Sequence, residues 1–174
     1  RNIYGVDIGP MAVEIARLRT WLSIIVDEES DSRKIKPLPN LEFKFVCANS
    51  LIDLDQSGAS AFGDVPDLEN KLRDLRDAYF NTESLAKKKK LRNDYDLLVN
   101  TGEGLWGESG KSKQLKTYRP FDNESSASFF NPDFMFGALR FNILIGNPPY
   151  IKERGNKEKF QAVHSSELGK RFRN

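Results

Sequence analysis

The run Phe141-Asn-Ile-Leu-Ile-Gly-Asn-Pro-Pro-Tyr150 limits the fold more than any other stretch of this 174-residue chain. Phe141, Ile143, Leu144 and Ile145 follow one another closely, which predicts a short strand buried in a sheet, and Gly146 with Pro148 and Pro149 ends it abruptly. The tetrad Asn147-Pro148-Pro149-Tyr150 is then expected at the carboxyl end of a central strand, the rim where open α/β sheets bind ligands.

A tetrad of this kind suits methylation of an exocyclic amine. The nitrogen of an amino-purine or an amide is a poor nucleophile because its lone pair is delocalised. Acceptors that hold both of its hydrogens, here the Asn147 side-chain oxygen and the Pro148 carbonyl, favour a tetrahedral nitrogen and free that pair. Consecutive prolines fix φ and present rigid carbonyls. Tyr150 adds a ring on which a flat substrate stacks, worth roughly 1–3 kcal/mol per base. The plainer alternative is a turn that merely follows a strand.

Bulk composition narrows the classes without choosing among them. With 39% hydrophobic and 30% charged residues the chain has the makeup of one soluble domain with a real core, and no membrane span is visible. A net charge of +2 neither demands nor forbids a polyanionic partner. A lone Cys47 within Phe43-Lys-Phe-Val-Cys47 excludes an internal disulfide and reads as a small core residue in a reducing, cytoplasmic compartment. With His164 as the only histidine, His-based metal sites and a Ser-His-Asp hydrolase are also disfavoured, and no metal is expected. The chain opens at Arg1 in what reads as mid-strand, as an excised piece of something longer does.

Asn2-Ile-Tyr-Gly-Val-Asp-Ile8 predicts a strand ending on the acid Asp7, and Pro10 is placed to start a helix. Met11, Ile15, Leu18, Leu22 and Ile25 then form one apolar stripe at helical spacing. An acid at a strand tip before a helix is how dinucleotide-type folds hold the ribose hydroxyls of an adenosine cofactor. The plainer alternative is that Asp7 only helps to cap that helix. A polar loop over 27–40 leads to a second strand, Leu41-Glu-Phe-Lys-Phe-Val-Cys47, with Asn49 and Ser50 at its carboxyl edge, types that also occur simply as caps and turns.

The distance from Asn49 to Asn147 far exceeds the roughly thirty residues of a βαβ unit, so 64–119 reads as an insertion. Leu68, Leu72, Leu75 and Tyr79 make one helical stripe, and Leu91, Tyr95 and Leu98 a second beyond a break near Asn81-Thr82, which predicts a helical hairpin. Lys87 to Lys90 point in every direction around a helix and read as a solvated face. Gly102-Glu-Gly-Leu-Trp-Gly107 matches G-x-G-x-x-G without the strand it requires, and Gly110-Lys111-Ser112 lacks the first glycine of a phosphate loop, so 101–119 is expected to be loop. Asp67 and Glu69 lie two apart at the start of a helix, where they diverge and do not form a carboxylate site. Phe129, Phe130, Phe134, Met135 and Phe136 read as core, and 151–174 as charged and partly helical.

Tyr4-Gly-Val-Asp-Ile8 with the Pro10-Met-Ala-Val-Glu-Ile-Ala-Arg-Leu helix, then Cys47-Ala-Asn-Ser-Leu51, then Ile145-Gly-Asn-Pro-Pro-Tyr150, stand in that order. In order and wording they resemble the adenine-specific (N6) DNA methyltransferases of restriction-modification systems, above all the large type II proteins in which methylase and endonuclease share one polypeptide. The likeness runs from the start to about Leu51 and from about Phe129 onward. It implies an α/β fold, a partial Rossmann-like methyltransferase sheet with a helical insertion, all of 1–174 belonging to one catalytic domain. It also implies S-adenosylmethionine as cofactor: Asp7 would hold its ribose hydroxyls, Ile8 would pack on its adenine, and Asn49 would read the adenine edge with Ser50 beside it. Asn147 and Pro148 would take the target amino group, and Tyr150 would stack on an adenine flipped out of double-stranded DNA.

Two departures stand out. Gly9 occupies a position where the family commonly has an acidic helix cap. The family's glycine-rich methionine-binding loop, its later strands and its target-recognition domain have no counterpart in these residues and are expected elsewhere in the same polypeptide, which predicts an isolated piece without activity. A protein-glutamine or ribosomal-RNA methyltransferase, and a non-catalytic helical interaction module, are the alternatives.

Overall fold

The computed structural model describes residues 3–27, 40–55, 65–101, 110–147, 154–155 and 157–171. In chain order these form β1 (Gly5–Asp7), α1 (Pro10–Asp27), β2 (Phe45–Cys47), α2 (Val65–Phe80), α3 (Leu85–Thr101), α4 (Gly110–Thr117), α5 (Pro132–Phe136), α6 (Lys157–Ser165) and α7 (Glu167–Arg171).

β1 and β2 pair in parallel, with Gly5 opposite Phe45, Val6 opposite Val46 and Asp7 opposite Cys47. Glycine is needed at position 5, since a Cβ there would sit 2.8 Å from the Phe45 ring. The sheet continues on the far side of β2 by a single parallel bridge from Ala48 to Ala127. Parallel strands require a crossover, and α1 supplies it. Gly9 is the residue before the helix, its carbonyl accepting from the Ala12 and Val13 N–H groups at 3.0 and 3.2 Å, and Pro10 follows without a donor to strand.

α1 lands on the sheet with a face other than the one its apolar stripe predicts. Met11, Ile15, Leu18, Leu22 and Ile25 are all exposed, whereas Val13 is buried with Leu41 and Phe45, and Ala16, Trp21 and Cys47 pack against them. Arg17 decides this orientation. Its guanidinium donates to the Phe45 carbonyl at 2.8 Å and the Glu42 carbonyl at 3.2 Å, and it is paired with Glu14 at 2.7 Å. Docking this fork against the entrance to β2 turns the apolar stripe outward.

The second predicted strand is shorter than its alternation suggests. Glu42–Lys44 is a turn closed by the Phe45 N–H on the Leu41 carbonyl at 2.9 Å, and only Phe45–Cys47 is extended. The larger revision concerns Phe141 to Ile145. This segment is not a buried central strand: it joins no ladder, and Ile143, Leu144 and Ile145 are 80%, 88% and 92% exposed. A short apolar run becomes a strand only where a neighbour satisfies its backbone, and none of the described residues does so. Phe141 alone is anchored, its ring 5.7 Å from that of Tyr4 and 6.2 Å from that of Phe136.

The two expected helical stripes are present: Leu68, Leu72, Tyr79 and Tyr95 are buried, and Leu75, Leu91 and Leu98 are partly buried against the same core. Leu68, Leu72 and Tyr79 of α2 and Tyr95 and Val99 of α3 join Leu115, Phe129, Phe134 and Met135 around Phe43, Val46 and Ala48 in one core. Burying a leucine such as Leu72 contributes roughly 1.5–3 kcal/mol. Part of the stretch read as loop is α4, whose Leu115 faces this core, and Gly110-Lys111-Ser112 is its first turn. The glycine pattern at 102–107 and the centre of the polar loop, 28–39, lie outside the described residues. Of the lysine run, Lys87, Lys89 and Lys90 are exposed, while the Lys88 ammonium lies 5.7 Å from the Tyr79 ring.

Glu69, near the start of α2, is committed to structure: it pairs with Arg73 at 2.7 Å and with Lys111 of α4 at 2.6 Å. Partial burial pushes its pKa up, but the Lys111 and Arg73 hydrogen bonds outweigh that and hold it below the ordinary 4.5. A lowered folded-state value means that the triad's stabilisation is complete above pH 4.5 and fades as pH falls through the lowered value. Melting temperatures of the parent and Glu69→Gln are therefore expected to differ at neutral pH and to converge in acid. Parallel curves down to the lowest pH would remove Glu69 from this role.

Candidate functional site

The carboxyl ends of β1 and β2 lie side by side because the strands are parallel and in register. Asp7 closes β1, and Asn49 stands two residues beyond Cys47, so both emerge at one rim. The Ala48 N–H donates to the Asp7 carbonyl at 2.9 Å and ties the two strand ends together. The Cys47 thiol donates to the Ile8 carbonyl at 3.4 Å, a second tie one residue further out.

Asp7 is exposed, with its Oδ1 accepting from the Gly9 N–H at 2.7 Å. That contact bears on the glycine: a Cβ at Gly9 would approach Asp7 Oδ1 to 3.2 Å, and the carboxylate holds the N–H of the residue before the helix instead of one in its first turn. Its other oxygen has no partner among the described residues. Ile8 is 63% exposed, an apolar side chain presented to solvent beside a carboxylate.

Asn49 begins a turn. Its Oδ1 accepts from the Leu51 N–H at 3.1 Å and its carbonyl from the Ile52 N–H at 3.3 Å, so the turn role that its residue type suggests is realised. Its Nδ2 takes no partner among the described residues. The Asn49 N–H is held by the Ala127 carbonyl at 2.9 Å, and Ser50 is exposed at the crest of the turn. Asp7, Ile8, Asn49 and Ser50 are thus brought to one edge, with donors, acceptors and an apolar surface directed outward.

Of the other half of the predicted site, Asn147 alone lies among the described residues. Asn147 is exposed at the end of the run that begins on Tyr4, and Gly146 beside it has open space where a Cβ would go. Pro148 and Tyr150 lie outside the described residues. Among the described residues no cluster of His, Cys, Asp or Glu is arranged to hold a metal, and no helix is long and apolar enough to cross a membrane. A hollow of about 390 Å³ lies between α2 and α3, lined by Lys71, Leu75, Leu97 and Leu98, and none of the candidate residues borders it.

Residues that sequence reasoning passed over support the rim from behind. The Phe130 N–H donates to the Ile52 carbonyl at 2.7 Å. Asn131 caps α5 through the Phe134 N–H at 2.9 Å and donates from Nδ2 to Asp53 at 3.2 Å. Gln114 of α4 donates to the Asp53 carbonyl at 3.2 Å and accepts from the Asp55 N–H at 2.7 Å. Asn131 carried a signal, an Asn followed by Pro at the head of an aromatic cluster; Gln114 carried none.

A family model for Eco57I restriction-modification methylases matches residues 1–174. A curated protein of Methanocaldococcus jannaschii, named as a type II restriction enzyme and methyltransferase, is 38% identical over 104 residues, 56% of this chain and 9% of that protein. The chain therefore spans about a tenth of the length of this relative. No solved structure matches it.

Proposed function

The chain belongs to the Eco57I restriction-modification methylase family, and from that membership and the rim geometry we propose that it is part of an S-adenosylmethionine-dependent DNA methyltransferase acting on the N6 amine of adenine. The observation that carries this reading is the register of the parallel pair, which brings an exposed carboxylate and a carboxamide to neighbouring carboxyl ends. The donor set suits an adenosine: a carboxylate for vicinal hydroxyls, an exposed isoleucine for a purine face and an amide for its edge. When bound, S-adenosylmethionine supplies the electrophilic methyl group.

This chain's own residues would do the rest. Asp7 and Asn49 would fix the nucleoside, and Asn147 with Pro148 would accept the two amine hydrogens of a flipped adenine stacked on Tyr150. In this reading the sheet is Rossmann-like. The exposed stripe of α1 and Ile143 to Ile145 are surfaces that further strands and helices would cover, and the helices within 64–119 form an insertion into one catalytic domain. Double-stranded DNA is the partner.

The test is product analysis with the polypeptide that contains this chain. Labelled methyl from S-adenosylmethionine is expected in N6-methyladenine of duplex DNA; label confined to cytosine, ribosomal RNA or a protein glutamine would overturn the assignment. Asp7→Ala should weaken calorimetric binding of S-adenosylhomocysteine about tenfold to a hundredfold, the loss of charge-assisted hydrogen bonds to a ribose.

A further inference from the structure

We propose that Gln114 is a positioning residue for the cofactor's adenine, holding the turn that carries Asn49 and Ser50; the proposal rests on the S-adenosylmethionine reading above and extends it to a helix outside every motif that suggested that reading. The segment from Asn49 to Asp55 is fixed at its start by Ala127 and in its middle by Phe130 on the Ile52 carbonyl. At its far end Asn131 holds the Asp53 side chain, and the backbone is held by Gln114, whose amide acts as a short mimic of a neighbouring strand, giving a hydrogen bond to the Asp53 carbonyl and taking one from the Asp55 N–H. Leu54, between them, is buried in the core, so the bracketed backbone is pinned on both sides.

The helix carrying Gln114 is itself seated on this loop. Gly110 opens α4 so close to Asp55 that a Cβ there would lie 2.6 Å from Asp55 Oδ2, and the carboxylate faces the first turn, where negative charge is favoured. At the other end Leu115 is fully buried, which leaves the adjacent Gln114 little freedom to relax. A helix that lies some sixty residues along the chain from the turn thereby sets its position.

Gln114 touches neither ribose nor sulfonium in this arrangement, and its effect is confined to the adenine edge. That gives a readout which general loosening of the fold does not share. S-adenosylhomocysteine and its deaminated counterpart, S-inosylhomocysteine, have the same ribose and amino-acid parts and differ at the position that Asn49 reads. Their affinities for the full-length polypeptide, measured by calorimetry, are expected to favour the adenosine ligand. In Gln114→Ala, and in Gln114→Met, which fills the same space, affinity for S-adenosylhomocysteine should fall about threefold to thirtyfold, with S-inosylhomocysteine binding unchanged and amide exchange of residues 50–55 accelerated. Equal loss for both ligands, or no loss for either, overturns the positioning role while leaving the cofactor reading in place. A parent protein that binds neither ligand overturns both.

Discussion

Arg76→Ala is expected to destabilise the fold by about 3–5 kcal/mol, the largest effect of any single polar substitution among the described residues. Arg76 is 5% exposed, yet it carries a charge into the core. Its Nη1 donates to the Asp133 carbonyl at 2.7 Å and to the Phe134 carbonyl, and its Nε and Nη2 grip Asp77 at 2.9 and 2.8 Å. Those carbonyls belong to α5, a helix of five residues whose capping Gly137 N–H reaches the Asp133 carbonyl at 3.0 Å but not that of Phe134. Removing the guanidinium leaves the Phe134 carbonyl buried without a partner among the described residues.

The exit of α5 is shaped around the same group. Gly137 caps it at φ 66°, a left-handed conformation, and a Cβ there would come within 3.1 Å of Arg76 Nη2. Arg76→Lys keeps the charge but loses the fork, and it should recover only a minor part of the stability. Chemical denaturation with unchanged slope measures the loss; a change below about 1 kcal/mol would show that the carbonyls find other donors.

Asn147→Ala, in the longer polypeptide, is expected to reduce methyl transfer by about a hundredfold to a thousandfold with cofactor affinity nearly unchanged. In the proposed function the side-chain oxygen of Asn147 accepts one amine hydrogen, and that interaction strengthens as the nitrogen becomes tetrahedral. Loss of such a contact appears in the rate of the chemical step and not in ground-state binding. Asn147→Asp keeps an acceptor and should retain more activity than the alanine variant. Single-turnover kinetics on a duplex containing the target adenine separate the two effects. An alanine variant with parental turnover would remove Asn147 from the chemistry.

Local signals were legible where one segment alone decides its structure. The tight entry of Pro10 into α1, the alternation of strand and helix at the start, and the stripes of Leu68, Leu72 and Tyr79 follow from spacing and backbone restriction, and each is present. Which face of a helix is covered is not a local property. α1 has an apolar stripe, but the hydrogen bonds of Arg17 to the turn before β2 determine which side meets the sheet. Ile143 to Ile145 failed for the matching reason: β-structure requires a partner, and composition does not say whether one is at hand. The common rim of Asp7 and Asn49 was readable because both follow paired strands, whereas the hydrogen bonds of Gln114 and Arg76 span long separations that no spacing rule encodes.

Phe43 sits where the helices that follow β2 meet the sheet. Its ring lies 5.5 Å from Tyr79, 5.6 Å from Phe80, 6.3 Å from Tyr95, 6.5 Å from Tyr118 and 5.5 Å from Phe121, residues drawn from α2, α3 and the stretch after α4. Anyone wishing to whittle this chain down to its parallel strands would thus find no clean seam to cut along. Excising the helices would strip the aromatic keystone of its neighbours and leave its ring facing water.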